Sequence, residues 1–413
     1  MNKPMALLIL FLILPIEAVY AQQVPEFSLQ RVLETYLQNN LDLQTARFTL
    51  ERTRADQIAA RLRPNPLLSF TAENMPVSGP TPFADLSEFG ATYTETIELG
   101  GKRSLREKSA NATVSAAEAQ FEDTMRRGLA EMKRMYYEVL LARSAVDIAA
   151  ESRQTFDQLL QFNVSRFQEG AIPELDLIKV RLERVKFDSA VRQAELGLRQ
   201  ATIRLLEKLA APVSAGSQVS GELTFRPVVV DLNSIRQIAV AERTDVLAAM
   251  AELTAANERL ALERGRSKPD LSPFAGYKRV GNDNTILVGV NIPLKIRDRN
   301  EAEIQRAETD VKTAQARLQL IRNHALAEVE SAYAALQAAR EQVETIQNDL
   351  LRQADEARSI SIAAYEEGGS ELLPVLDAQR TRSEIRQQYF KTVFDYQASI
   401  VALELAAGRE LQP

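Results

Sequence analysis

Acidic and basic side chains gather in two short stretches of this chain. Arg166, Glu169, Glu174 and Asp176 surround Gly170, and Glu366, Glu367, Glu371, Asp377 and Arg380 surround Gly368. Carboxylates held together at a constriction disfavour one another's charge, which raises pKa values and favours passing cations. Asp176 and Asp377 each begin a returning helix. Arg166 and Arg380 are placed to close such a constriction through ion pairs. Acids at a helix start also complement the helix dipole, so capping and solvation account for the same residues equally well. Gly170 and Gly368 each follow a long helical run, where a left-handed glycine closes a helix end. Ala171, Gly369 and Ser370 complete two small-residue turns that present backbone to a partner.

Other chemistry finds no support. Gly100-Gly101-Lys102-Arg103-Ser104 lacks the spaced glycines of a phosphate loop. The single histidine, His324, lies inside a helical run. It has no motif for a Ser/His/Asp set and cannot build a zinc or copper cluster alone. The chain has no cysteine, hence no disulfide, no thiol nucleophile and no site for lipoprotein acylation. Carboxylates along the helices read as salt-bridged surface. The net charge of −6 is spread over interspersed signs, with no basic stripe for nucleic acid. These features point away from an enzyme and from any bound cofactor or metal.

Residues 1–21 read as a secretory signal peptide. Lys3 supplies the positive start, Met5 to Ile16 the apolar run, and Val19-Tyr20-Ala21 the cleavage context. The alternative is a short N-terminal anchor. No later stretch has eighteen consecutive apolar residues, so no transmembrane helix is expected.

The remaining chain is written twice. At an offset of 203, Leu29 falls on Leu232, Asp42 on Asp245, Leu50 on Leu253 and Pro66 on Pro269. At 195, Ile97 falls on Ile292 and Leu99 on Leu294; at 198, Gly170 falls on Gly368 and Leu175 on Leu373. The pattern predicts a first repeat over 22–211, a connector over 212–231 rich in Gly, Ser and Val, and a second repeat over 232–413. Each repeat reads as helix, two strands, very long helix, turn and helix. The opening helices are expected over 29–63 and 232–266. Strands are expected at about 67–75, 89–99, 271–280 and 285–294. The long helices span about 103–168 and 299–365, and the returning helices end near Ala211 and Ala407.

The second long helix carries heptads with an inserted four. Ile304, Val311 and Leu318 are followed by Val329, then Leu336, Val343 and Leu350. Such a stutter unwinds a left-handed supercoil, which suits helices packed side by side around a wide cylinder. An ordinary antiparallel coiled-coil bundle fits the spacing as well. The strands decide between them. Ile286, Val288, Val290, Ile292 and Leu294 share one face, and Phe89, Ala91, Tyr93, Ile97 and Leu99 share another. Strands of about ten residues with one apolar face match a tilted membrane barrel. A membrane barrel must close. Four strands cannot close one, so several chains must contribute, and three would give twelve strands.

The duplicated unit and the two turn segments, Arg166 to Asp176 and Tyr365 to Arg380, resemble the TolC-like outer-membrane efflux family across nearly the whole mature chain. Arg63-Pro64-Asn65-Pro66 and Glu98-Leu99-Gly100-Gly101-Lys102-Arg103 resemble its heavy-metal branch. The second repeat has Pro293-Leu294-Lys295-Ile296-Arg297 where the glycine pair would stand. The resemblance implies a mainly α fold with a small β membrane part. It implies a homotrimer whose twelve-stranded β-barrel sits in outer-membrane lipid and continues as an α-helical periplasmic barrel. Gly170, Ala171, Gly368, Gly369 and Ser370 would dock on a periplasmic membrane-fusion adaptor, which meets an inner-membrane pump of the resistance-nodulation-division type. Glu174, Asp176, Glu371, Asp377, Arg166 and Arg380 would form the periplasmic gate. The implied function is passive efflux of heavy-metal cations. The alternatives are a protein-secretion or drug-efflux duct of the same fold and, in a different class, a periplasmic coiled-coil scaffold.

Overall fold

The computed structural model describes residues 26–212 and 218–411. The expected signal peptide lies outside them. The elements run β1 (Glu26–Phe27), α1 (Leu29–Asn39), α2 (Leu41–Arg61), β2 (Leu67–Glu73), α3 (Phe83–Leu86), β3 (Glu88–Thr94), α4 (Lys102–Gln168) and α5 (Glu174–Lys208). The second half follows as β4 (Gln218–Val219), α6 (Leu232–Glu242), α7 (Thr244–Arg266), β5 (Ser272–Val280), β6 (Asp283–Asn291), α8 (Glu301–Thr345), a π-helical turn (Ile346–Leu350), α9 (Leu351–Glu366) and α10 (Leu372–Ala407). The connector is not wholly irregular, because β4 pairs in parallel with β1.

Each opening helix is two helices, not the single one expected. Asn40 leaves the helical conformation at φ −63°, ψ 128°, and Arg243 does the same at φ −65°, ψ 128°. Both breaks serve the end of a returning helix. Asn40 Nδ2 donates to Lys208 O at 2.8 Å, and its Oδ1 caps α2 by accepting from Leu43 N at 2.9 Å. Arg243 Nη1 donates to Ala406 O at 3.1 Å. A helix end leaves its last carbonyls without intrahelical donors, and each break residue supplies one. Arg243 also holds Asp245 through two bonds of 2.8 and 2.9 Å and pairs with Glu328. Asp123, nearly buried on α4, joins this cluster through Arg126, Arg127 and the Thr244 hydroxyl.

The four longer strands form one antiparallel sheet in the order β2-β3-β5-β6. Paired residues fix the faces, because directly opposed side chains share a side. Phe70, Ala91, Tyr277 and Ile286 align across the sheet, and so do Leu68, Tyr93, Ala275 and Val288. The two apolar rows expected from the separate repeats therefore fall on a single face. β3 stops at Thr94, short of the expected Leu99, and only the Ile97–Leu271 bridge continues it. Pro273 opposes Glu95 at that point; it accepts from Glu95 N at 3.1 Å but has no N–H to return.

The sheet joins the helices through a few fixed bonds. Gly100 and Gly101 take φ of +73° and +71°, a region that glycine enters without a Cβ penalty. The turn they make buries Lys102, whose Nζ donates to Lys268 O at 2.6 Å and pairs with Asp270 at 2.8 Å. Arg106 binds Glu98 at 2.5 and 3.1 Å and the carbonyls of Ala60 and Leu62 at 3.0 and 2.9 Å. In the second repeat Asn300 alone supplies the left-handed turn, at φ +67°. Asparagine enters that region more readily than other residues with a side chain.

α4 is 67 residues long, about 100 Å at 1.5 Å per residue. Its one glycine, Gly128, faces Tyr36, and a Cβ there would lie 1.7 Å from the tyrosine hydroxyl. The stutter is visible on α8: Ala307, Ala325, Val329, Ala332, Leu336, Ala339 and Val343 form its buried stripe. Leu350 leaves that stripe, contrary to the heptad extrapolation. The π turn inserts a residue, Leu350 swings outward and Ala354 takes the next buried position. The main core forms where α1, α4, α5, α6, α8 and α10 converge around Met132, Leu205, Leu336, Tyr396 and Leu403.

Candidate functional site: the sheet wall and the helical tips

Two places in this fold present chemistry to the outside: the faces of the sheet and the far ends of the long helices. On the first face of the sheet, Leu68, Phe70, Phe89, Tyr93, Tyr277, Ile286 and Val288 are exposed large apolar residues. The other face carries Ser69, Thr71, Glu73, Glu88, Thr92, Thr94, Lys278, Asp283 and Thr285, interrupted by Leu67, Phe274, Val280 and Leu287. Lys278 pairs there with Glu73 at 3.3 Å and with Glu88. The three strand glycines, Gly90, Gly276 and Gly289, all lie on this polar face. A Cβ on Gly289 would lie 2.4 Å from the Phe274 ring, and one on Gly276 would lie 2.6 Å from Ala91 O. Glycines gathered on one face let a sheet bend toward that face. An apolar face backed by a more polar one suits a membrane wall around water.

β2 and β6 leave the two edges of the sheet unpaired. An open edge is not tolerated in lipid. The helical layer is open in the same way. α5 packs chiefly on α4, and it exposes Leu175, Ile178, Leu182, Val185, Leu196 and Ile203 in coiled-coil spacing.

At the far end, the two repeats close their long helices with the same bonds. Ala171 N donates to Arg166 O at 2.8 Å and Gly170 N to Phe167 O at 3.0 Å; Gly369 N donates to Ala364 O at 2.8 Å and Gly368 N to Tyr365 O at 3.1 Å. These are Schellman closures, with Gly170 at φ +74° and Gly368 at φ +78°. Both glycines project into open space, and Ala171, Gly369 and Ser370 sit beside them on the two tips. The candidate gate residues gather at the same end. Glu174 and Asp176 occupy the first turn of α5, with Asp176 held by Lys179 at 3.0 Å. Glu371 is the N-cap residue of α10 and Asp377 lies on its exposed second turn. Within one chain, the arginines take other partners than the candidate acids. Arg166 lies over the Phe162 and Tyr365 rings at 5.5 and 5.8 Å, and Arg380 pairs with Glu384 at 2.8 Å.

A polar network behind the tips was not foreseen. Arg382 pairs with Glu151 at 2.8 Å and with Asp355, and Arg386 also reaches Glu151. Burial pushes the Glu151 carboxyl up, but the two arginines outweigh it and hold the group below its ordinary value. Among the described residues Arg358 bonds only neutral groups, Gln379 at 2.7 Å and Thr155 at 3.0 Å. Burial, helped by the charges of Arg382 and Arg386, lowers its guanidinium. The available signal was the spacing: Arg382 and Arg386 stand four apart on one face of α10. His324 is exposed on α8 beside Glu328, at 3.2 Å. Among the described residues no helix is long and apolar enough to cross a membrane, and no three His, Cys, Asp or Glu side chains form a metal-holding group.

The sequence profile described as "Outer membrane efflux protein" matches residues 32–211 and again residues 235–409. The chain belongs to the outer membrane efflux protein family. It is an outer-membrane efflux channel subunit, and the scaffold reading falls away. The family match is itself double, and its second segment carries the second pair of strands. Among curated relatives, this efflux protein is 28% identical to the cobalt-zinc-cadmium resistance protein CzcC of Cupriavidus metallidurans over 392 residues, covering 92% of this chain and 90% of CzcC. It is 27% identical to the nickel and cobalt resistance protein CnrC of the same organism, covering 76% of this chain and 74% of CnrC. Its fold matches solved channel structures. CusC aligns with a TM-score of 0.75 at 21% identity over 92% of each chain. The Campylobacter jejuni outer membrane channel CmeC aligns with a TM-score of 0.77 at 18% identity, over 93% of this chain and 87% of that one.

Proposed function

We propose that three copies of this chain close into a duct that exports divalent heavy-metal cations. The observation that carries the closure is the doubly open wall: one sheet with an apolar face and two free edges, continued by helices with an exposed heptad row. Pairing β6 of one copy with β2 of the next gives a twelve-stranded barrel, and the α5 row then lies against α8 and α9 of the neighbouring copy, which expose Leu320, Leu326 and Ile360. The two repeats, 22–211 and 232–413, contribute two strands and one tip each. Similarity to CzcC and CnrC, both named for metal resistance, supports the cargo.

The paired tips at Gly170, Ala171, Gly368, Gly369 and Ser370 form six equivalent docking points per trimer for a periplasmic adaptor, which couples the duct to a resistance-nodulation-division pump. Threefold symmetry turns Glu174, Asp176, Glu371 and Asp377 into acidic rings at the entrance, where cations are favoured and anions are not. Arg166 and Arg380 lie at the same end and hold the closed state. Membrane fractionation followed by light scattering, with detergent mass subtracted, tests the assembly: an outer-membrane trimer is expected, and a soluble monomer or dimer would overturn it. Deleting the gene is expected to raise sensitivity to cobalt, zinc or cadmium, and unchanged tolerance to all of them would remove the cargo assignment.

A further inference from the structure

We propose that a girdle of unpaired cations at the sheet–helix junction binds the phosphate headgroups of the periplasmic leaflet of the outer membrane, an assignment that rests on the duct reading above. Arg61 ends α2 and Arg63 lies between α2 and β2, Lys268 lies between α7 and β5, and Lys295, Arg297 and Arg299 lie between β6 and α8. The strand ends they adjoin, at Leu67, Phe274 and Gly289, stand in register through Thr94 at one end of the sheet. The six cations therefore share one level of the molecule. All are exposed.

Their lack of partners sets them apart from their neighbours. Lys102 pairs with Asp270 and Arg106 with Glu98. Arg264 pairs with Glu308 and Arg266 with Glu263, both at 2.8 Å. Among the described residues, none of the six has a carboxylate within 4 Å. Asp298, the acid between Arg297 and Arg299, accepts from Asn300 N at 2.8 Å and caps its own turn.

Exposed apolar side chains alternate with these cations. Leu62 stands between Arg61 and Arg63, and Leu294 and Ile296 flank Lys295, at 62%, 74% and 70% exposure. The row continues the apolar face of β6 through Val290 and Ile292. Apolar groups followed within a few residues by cations match the boundary between acyl chains and headgroups. Each cation held near an anionic surface raises affinity roughly fivefold. Threefold assembly repeats the set around the barrel, so the girdle fixes the depth at which the wall sits.

The test uses the full-length protein purified in detergent and supplied with equal amounts of phosphatidylglycerol and phosphatidylcholine, with retained lipids counted by native mass spectrometry. The wild type is expected to retain phosphatidylglycerol over phosphatidylcholine by about tenfold or more. A variant combining Arg63→Gln, Lys268→Gln, Lys295→Gln, Arg297→Gln and Arg299→Gln is expected to retain the two nearly equally. A control with the same charge removed from the distal helices, by Arg181→Gln, Lys186→Gln, Arg192→Gln, Arg352→Gln and Lys391→Gln, is expected to keep the wild-type preference. An unchanged preference in the girdle variant, or an equal loss in the control, would overturn the proposal. A spectrum without trimers in all three proteins would instead remove the duct reading on which it rests.

Discussion

Asn40 and Arg243 interrupt equivalent helices and bond equivalent carbonyls, Lys208 O and Ala406 O, yet one does so as a neutral amide and the other as a buried cation. Asn40 satisfies its own helix end and little more. Arg243 draws Asp245, Glu328 and, through Arg126, Asp123 into one web. The same asymmetry recurs elsewhere. Gly100 and Gly101 are replaced by Asn300, and Gly408, which closes α10 at φ +76°, is replaced by Ala210 at φ +48°. The duplication has kept the positions where backbone geometry must be met and let the side chains that meet it diverge.

The largest expected effect lies at Arg243. Arg243→Met strands Asp245 beside a lost partner, and breaking a buried pair in this way costs about 3–5 kcal/mol. Asn40→Ala removes a neutral cap and a neutral bond, at about 1–2 kcal/mol. Thermal unfolding of the assembled protein should therefore fall further for the arginine. Equal losses would mean that the charged web adds nothing to the cap.

A pH series sharpens the same contrast. Burial pushes the Asp245 carboxyl up, but hydrogen bonds and charge from Arg243, with Arg126, hold it below its ordinary value near 3.8. A lowered folded-state pKa gives stability that is present above the unfolded value and lost as pH falls through the folded one. The wild-type unfolding temperature should thus drop as pH is lowered through about 4 and below, while Arg243→Met should show a flatter profile. Parallel profiles would contradict the pairing.

Gly128 comes next. Gly128→Ala drives a methyl into the Tyr36 hydroxyl, an overpacking of about 1–3 kcal/mol. The second repeat has no such contact, because the 203-residue offset puts Ala239 where the first repeat has Tyr36. Tyr36→Leu should recover part of the loss in the double variant, and purely additive losses would show that the clash is not the cause. The smallest effect is at the αL residue closing α5. Ala210→Gly should stabilise by about 1 kcal/mol by removing left-handed strain, and a lowered unfolding temperature would refute that reading.

Much of this was legible in residue spacing. The duplication, the two hairpins, the long helices and the tip turns follow from periodicity and from where glycine and proline stand. The breaks at Asn40 and Arg243 were not, because both lie within otherwise helical runs and their reason is a carbonyl more than 160 residues away. Leu350 fits a heptad by counting, and only the π turn removes it. Pro273 shortens β3 from the opposite strand. At the tips, the glycines were evident as helix closers. Arg166 found aromatic rings rather than acids because Phe162 on its own helix and Tyr365 from the other repeat lie nearer.

The central claim is that the sheet's apolar face meets lipid and its polar face lines a water-filled bore. The chain has no cysteine, so single cysteines report without background. Val288→Cys places a thiol on the apolar face and Thr92→Cys places one on the polar face. In isolated outer membranes, a water-soluble maleimide should label Thr92→Cys and spare Val288→Cys, while a lipid-soluble maleimide should label Val288→Cys. The reverse pattern, or equal labelling of both by the water-soluble reagent, would contradict the account.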